Sequence, residues 1–256
     1  MAPRSLSISL EDFGDAVWRA HEWGCAAGDT LATGHATLDA QLPGGGWPVG
    51  AISEILQAPG GQHEWRLLLP ALTRATAGPV VVLVGAPHVP FGPGLIAQGL
   101  DSGRLLWVSA NAPADRLWAT EQALRCAALR CAEVAAVLTW LPQVRAEPLR
   151  RLQIAAHTHS KLLFVMRPAC AQRESSPAIL RLLVAHPPPG TAAPPDAVQL
   201  KILKRRGPPL AQTLLLPARS ASLGVLLALS GSVYSGGGNG QGEEGGDALD
   251  CLAAAA

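Results

Sequence analysis

Aromatic residues other than tryptophan are scarce: one Tyr and three Phe in 256 residues, against seven Trp. A surface that stacks successive bases needs clustered rings, and the seven Trp are scattered, so no stacking platform is encoded. Lysine is also scarce. Of 20 basic residues only Lys161, Lys201 and Lys204 are lysine. Charged residues make up 15% of the chain and the net charge is +1, so the chain as a whole has no basic excess. The five cysteines, Cys25, Cys126, Cys131, Cys170 and Cys251, are odd in number and form no CxxC pair. That excludes a disulfide framework and a zinc module and leaves them as small fillers. No apolar run reaches 18 residues and no basic segment precedes an apolar stretch at the N-terminus. Both absences point to a cytoplasmic protein without a membrane segment. HExxH, GxSxG, a Ser-His-Asp order and paired catalytic carboxylates are all missing. His157 and His159 are two apart, so they do not share a helix face and make no metal pair. No cofactor is expected.

The chain is 48% hydrophobic, enough for one sizeable core with tails. Three regions follow. Residues 1–30 are an N-terminal tail and a short amphipathic helix, with Leu10, Phe13, Ala16, Val17 and Ala20 at helical spacing and Trp18 and Trp23 as core anchors. Residues 31–217 are the folded core. Residues 218–256 are a Gly-rich, acidic tail, read as disordered. From residue 231 that tail holds Glu243, Glu244, Asp247 and Asp250 and no Lys or Arg, a local −4 that leaves +5 on the rest.

Everything hangs on residues 31–69. Thr33-Gly34 leads to Leu38-Asp39. The run Gly44-Gly45-Gly46 ends in Trp47-Pro48 and Gly50. An apolar strand (51–56), a loop (57–63) and a helix from Glu64 follow. Strand, Gly-rich loop and helix is the layout of a phosphate-binding loop. Such a loop ends Gly-Lys-Ser/Thr, the lysine reaching the phosphates and the hydroxyl holding Mg²⁺. Here Gln62, His63 and Glu64 stand there instead. A neutral imidazole and a carboxylate do not replace an ammonium and a hydroxyl. Gly60 and Gly61 read as turn glycines rather than a phosphate cradle, because Glu64 repels phosphate where the helix dipole would attract it.

Downstream, the β-branched run Val80–Val84 suits a strand buried on both faces of a parallel sheet, and Leu105–Val108, Val134–Trp140 and Leu162–Met166 read as further strands. They alternate with helices expected over 64–77, about 95–99, 114–130 and 146–159. Pro70 is placed in the first turns of the first of these, where proline does least harm. Residues 175–184 start as helix near Ser176-Pro177 or run into strand. Residues 187–195 form a proline-rich loop, and Gln199–Lys204 and Thr213–Leu216 are strands. The alternation implies a doubly wound, mostly parallel α/β sheet with flanking helices and a C-terminal antiparallel hairpin.

This layout resembles the RecA-type recombinase core, through Thr33-Gly34, Leu38-Asp39, Gly44–Gly46, Pro48, Gly50, Glu54, VLVGAPH (82–88), GLDSGRLLWV (99–108) and the helix 117–124. It is more closely similar to the ImuA family, through LPGGGWPVG (42–50), LLLPAL (67–72), Ala86-Pro87-His88, LTWLP (138–142), LRRLQ (149–153), FVMRP (164–168), Ser176-Pro177-Ala178 and ILKRRG (202–207). The resemblance implies a RecA-like accessory protein of translesion DNA synthesis in the SOS response. The implied partners are ImuB, an inactive Y-family polymerase homologue, and through it an error-prone replicative-type polymerase. It also admits weak DNA binding and self-association. Against an active recombinase, the water-activating carboxylate falls at Pro87 and the Mg²⁺-orienting aspartate at Leu138 or Thr139. With His63 and Glu64, all three catalytic elements are lost, so no enzyme activity is expected. A SulA-like cell-division inhibitor and a residual DNA-dependent ATPase are the other readings.

Lys201, Lys204, Arg205 and Arg206 form the densest positive cluster, a DNA or partner contact or a charged sheet edge. Arg145, Arg150 and Arg151 read as a solvated helix face. Residues 169–175 occupy the place of a recombinase's DNA-holding loop but carry only Gln172, Arg173 and Glu174 as long polar side chains.

Overall fold

The central strand, Ala51–Gln57, is polar at three of its seven positions, Ser53, Glu54 and Gln57, and that shapes everything around it. The computed structural model describes residues 29–58, 61, 63–75, 79–126, 133–188, 193, 197–210 and 212–217, all within one unit, residues 1–218. The amphipathic helix expected over 10–23 with Trp18 and Trp23, the tail 218–256, and Gly60 and Gln62 of the loop lie outside the described residues. The chain opens with β1 (Thr30–Leu31), α1 (Ala36–Asp39) and β2 (Trp47–Pro48), the two short strands pairing antiparallel. Then come β3 (Ala51–Gln57), α2 (Glu64–Ala75), β4 (Val80–Val84), α3 (Gly92–Ala97), β5 (Leu105–Val108) and α4 (Pro113–Arg125). β6 (Val134–Trp140), α5 (Ala146–Thr158), β7 (Leu162–Pro168), β8 (Leu180–Ala185), β9 (Val198–Lys204) and β10 (Thr213–Leu216) complete it.

The eight strands β3 to β10 form one sheet, ordered β10-β9-β8-β3-β7-β6-β4-β5. From β8 to β5 all neighbours are parallel, while β9 runs antiparallel to both β8 and β10. Side chains alternate between sheet faces, and each face receives its own helices. Leu67, Leu68, Ala71 and Leu72 of α2 pack with Ile55, Leu83, Leu138 and Phe164 on one face. Leu124 of α4 and Leu149, Leu152 and Ala156 of α5 pack with Ile52, Val82, Val137 and Leu163 on the other. The chain winds towards β5 with helices on the first face and back with helices on the second, as right-handed crossovers demand. The expected doubly wound, mostly parallel sheet with an antiparallel C-terminal hairpin is therefore observed. Among the described residues no helix is long and apolar enough to cross a membrane.

One open reading is decided and two expectations are corrected. Residues 175–179 form no helix. The β7–β8 connection carries only a 3-10 turn, Ala169–Arg173, and reaches β8 extended. The helix expected at 95–99 starts earlier, at Gly92, because Pro93 sits at its first positions, where proline's fixed φ suits a helix start. Pro70 lies inside α2 rather than in its first turns. It has no N–H for the carbonyl of Arg66, four residues back. His35 repairs that turn: its Nε2 lies 3.2 Å from Leu67 O and Arg66 O is also within its reach. A carbonyl only accepts, so Nε2 carries the proton.

The Thr33-Gly34 turn exists to make that repair. Gly34 has φ +86°, and a Cβ there would sit 2.4 Å from Pro70 Cβ, so only glycine admits the approach. Asp39 Oδ1 accepts from Thr33 N–H at 2.8 Å and fixes the turn, while Leu38 drops into the core.

Candidate functional site

In open α/β sheets, ligands meet the carboxyl ends of the parallel strands where the winding reverses. The loop after β3 is at that edge. Its polar residues are turned inward. Gln57, His63 and Glu64 are all buried. Gln57 Nε2 donates to Glu64 Oε2 at 3.0 Å, and Gln57 Oε1 accepts from His63 N–H at 3.3 Å. Glu64 opens α2, so its own carboxylate lies in the first turn, where a helix favours an anion. The anion position is filled from within, and the His63 N–H is already used. His63 stacks edge-on against His186, just past β8, with centroids 4.4 Å apart. Burial pushes the His63 imidazole below its ordinary value, helped by His186 and Arg66. It stays neutral, and its Nδ1 has no hydrogen-bond partner.

The other two positions at which the recombinase resemblance would place catalytic groups carry none. Pro87 is exposed in the loop after β4. Leu138 is fully buried in the core on the α2 face, and the Thr139 hydroxyl lies 2.9 Å from that of Thr120 in α4. Between them, Arg116 crosses the carboxyl ends of β4, β5 and β6. Its Nε donates to Ala110 O at 2.8 Å and its Nη1 to Trp140 O at 3.2 Å. Gly85, φ +63°, makes room for it, since a Cβ there would meet Arg116 Nε at 2.8 Å.

A buried ion cluster lies under the β7–β8 connection, where no helix covers β3. Glu54 Oε2 accepts from Arg181 Nε at 2.6 Å. Its Oε1 accepts from Ser176 Oγ at 2.7 Å and stands 3.4 Å from Arg167 Nη1. Arg167 Nη2 also reaches Glu174 at 2.6 Å and Val144 O at 3.0 Å. Arg181 Nη2 donates to Ala171 O at 2.8 Å and Nη1 to Gln172 O at 3.3 Å. Two guanidinium groups balance two carboxylates, and each tethers the 169–174 segment. The 169–174 segment is thus pinned to the sheet, with Gln172 and Arg173 exposed.

The positive cluster divides. Lys204 Nζ donates to Ser176 O at 3.0 Å, and Arg205 donates to Gln41 O and, at 3.0 Å, to Pro208 O. These two hold the β9 end to the rest of the fold. Lys201 and Arg206 are exposed. Lys201 sits on the open face of β9, opposite Thr213 and Leu183 in register, with Ile202 buried behind it. Arg151 of α5 and Arg125 of α4 both bind Glu121, at 2.9 and 2.6 Å, so one of the helix arginines stitches α4 to α5. Among the described residues no group of three His, Cys, Asp or Glu side chains could hold a metal.

Glu54 was marked by sequence only as part of the strand before the loop. Arg181, His186 and Arg116 belong to no motif, Gln57 is read only as the start of the loop, and Arg167 only as part of FVMRP. For all but Arg116, the one signal is a polar residue inside or at the end of an apolar run. Neither protein-family models nor curated proteins match this chain.

Proposed function

We propose that this is a non-catalytic, RecA-like accessory protein of the ImuA type. It acts in the cytoplasm in SOS-induced translesion DNA synthesis and damage-induced mutagenesis. It works by contact with an ImuB-like, inactive Y-family polymerase homologue, and through that partner with an error-prone replicative-type polymerase. The sheet order and the antiparallel strands β9 and β10 are compatible with a RecA-like core. The observation that carries the reading is the Glu64 carboxylate in the first turn of α2, held by Gln57. A scaffold built for nucleotide supplies its own anion there, which leaves surface contacts as the working part. Lys201 and Arg206, exposed beside the structural pair Lys204 and Arg205, are the proposed DNA or partner contact. The test is a pull-down of the purified full chain against an ImuB-like protein, with deletion of its gene in damaged cells. Binding together with lost damage-induced mutagenesis is expected. Absence of binding with normal mutagenesis sinks the proposal, and DNA-stimulated ATP hydrolysis by the pure protein would refute its non-catalytic part.

A further inference from the structure

At the amino ends of β3 and β8, opposite the loop just described, the structure holds a cavity of about 110 Å³. Leu42, Pro43, Pro48, Val49 and Ile179 make its apolar wall. Five separate stretches of chain meet there, so the cavity is a product of the fold and not of one flexible loop. An engineered cavity of about 150 Å³ admits a benzene ring, so this smaller one takes at most a single apolar side chain.

Its rim is charged. Arg205 and Arg206 stand around the mouth with a single acid, Asp29, and the His157 ring beside them. The Arg205 guanidinium is bonded to backbone carbonyls, but Arg206 and His157 are exposed. An apolar hole beside a cationic rim matches the usual anatomy of a binding hot spot, a buried anchor ringed by polar contacts. The occupant's chemistry follows from both parts. Aliphatic and proline walls offer no ring on which a base could stack. A carboxylate beside an apolar anchor meets Arg206 while the anchor fills the hole.

We propose that this cavity is a docking pocket for a protein partner, taking a segment in which one apolar side chain lies next to an aspartate or glutamate. The proposal rests on the adaptor reading for its biological setting, but its first test does not need the ImuB-like protein. The full chain is used to select from a library of random twelve-residue peptides, and selected peptides are then measured against two variants. Val49→Trp fills the cavity, and Arg206→Glu reverses the rim while leaving a surface position otherwise intact. Selected peptides carrying Leu, Ile, Met or Phe beside Asp or Glu, with binding about tenfold weaker in both variants, are expected. Peptides without that pairing, or peptides that bind Val49→Trp as well as the unchanged protein, overturn the proposal. So does a single-stranded oligonucleotide that binds the unchanged protein and loses binding in Val49→Trp, which would assign the pocket to nucleic acid. If an ImuB-like partner binds Val49→Trp undiminished, the pocket falls as its docking point and the adaptor reading stands. If the peptides behave as expected and the ImuB-like protein fails to bind at all, only the adaptor reading falls.

Discussion

Arg181 and Glu54 lie side by side on adjacent parallel strands, Nε to Oε2 2.6 Å, with both side chains out of solvent. Glu54 is the only carboxylate that is fully buried with two guanidinium neighbours, Arg167 and Arg181, among the described residues. Removing it leaves two buried cations with Glu174 alone to answer them. Breaking a buried ion pair from one side costs about 3–5 kcal/mol. Glu54→Gln is therefore expected to lower the unfolding free energy by that amount in urea titration. Replacing both partners, Glu54→Leu with Arg181→Met, should cost less than the sum of the two single changes, because no charge is then left without its mate.

The Gln57–Glu64 pair makes a prediction about nucleotide. Glu64→Ala leaves Gln57 Nε2 buried without an acceptor, at about 1–3 kcal/mol, and removes a favourable charge from the first turn of α2. Destabilisation in thermal unfolding is expected. For the unchanged protein, millimolar ATP with Mg²⁺ should leave Tm where it was, since a ligand that binds only the folded state raises it. A raised Tm would contradict the reading of this loop as a structural joint.

Two buried imidazoles set the response to acid. Burial lowers the His35 value, with Leu67 O, Asp39 and Arg66 O pulling the other way; burial, then His186 and Arg66, lower that of His63. The unfolded chain therefore binds more protons than the folded one below the ordinary histidine value of 6.5. The contribution of both residues is complete above that pH and is lost as pH falls below it. Each adds a slope of up to about 1.4 kcal/mol per pH unit. Unfolding free energy should drop from pH 7.5 to 5.5, and His63→Asn should remove part of that slope. Glu133 acts at lower pH. The hydrogen bond from Lys161, then its charge, holds this carboxyl below its ordinary value, so its contribution is lost only as pH falls further.

The central strands were plain in the sequence because a strand buried on both faces reads as an unbroken apolar run, and the half-exposed edge strands Leu105–Val108 and Thr213–Leu216 are short apolar runs too. Val80–Val84, Leu105–Val108, Val134–Trp140 and Thr213–Leu216 are observed with the expected ends. Residues 175–184 stayed ambiguous because a Ser-Pro start and an apolar run fit either element. Only the β3 edge, which β8 must fill, decides for strand. The loss of phosphate chemistry at His63 and Glu64 was readable one residue at a time. What replaces it was not, because His186, which stacks on His63, reaches it through the sheet and is far away in the chain. The positive cluster looked uniform in sequence. The structure separates it by what each side chain reaches.

That separation is testable. Arg205 holds the carbonyls of Gln41 and Pro208, so Arg205→Ala should destabilise by about 1–2 kcal/mol through lost charge-assisted bonds. Arg206→Ala and Lys201→Ala alter exposed side chains and should stay within about 0.5 kcal/mol of the parent. Any loss of partner binding in those two variants then reports contact and not folding. Equal destabilisation by all three would return the cluster to a purely structural role.

The coupling of His35 to Pro70 is the sharpest claim about the opening motif. Pro70 leaves Arg66 O without its helical donor, and the proline ring crowds the turn that holds Leu67 O. His35 Nε2 reaches both carbonyls from the Thr33-Gly34 turn. In the parent, His35→Ala strands those acceptors in the core, at about 1–3 kcal/mol. In a Pro70→Ala background, residue 70 regains its N–H and the helix can satisfy its own carbonyls. His35→Ala should then cost about 1 kcal/mol less than it does in the parent. A double-mutant cycle read by urea unfolding measures that difference directly. If the two changes are additive, the histidine is only filling space, and the Thr-Gly turn needs another explanation than the repair of a proline in α2.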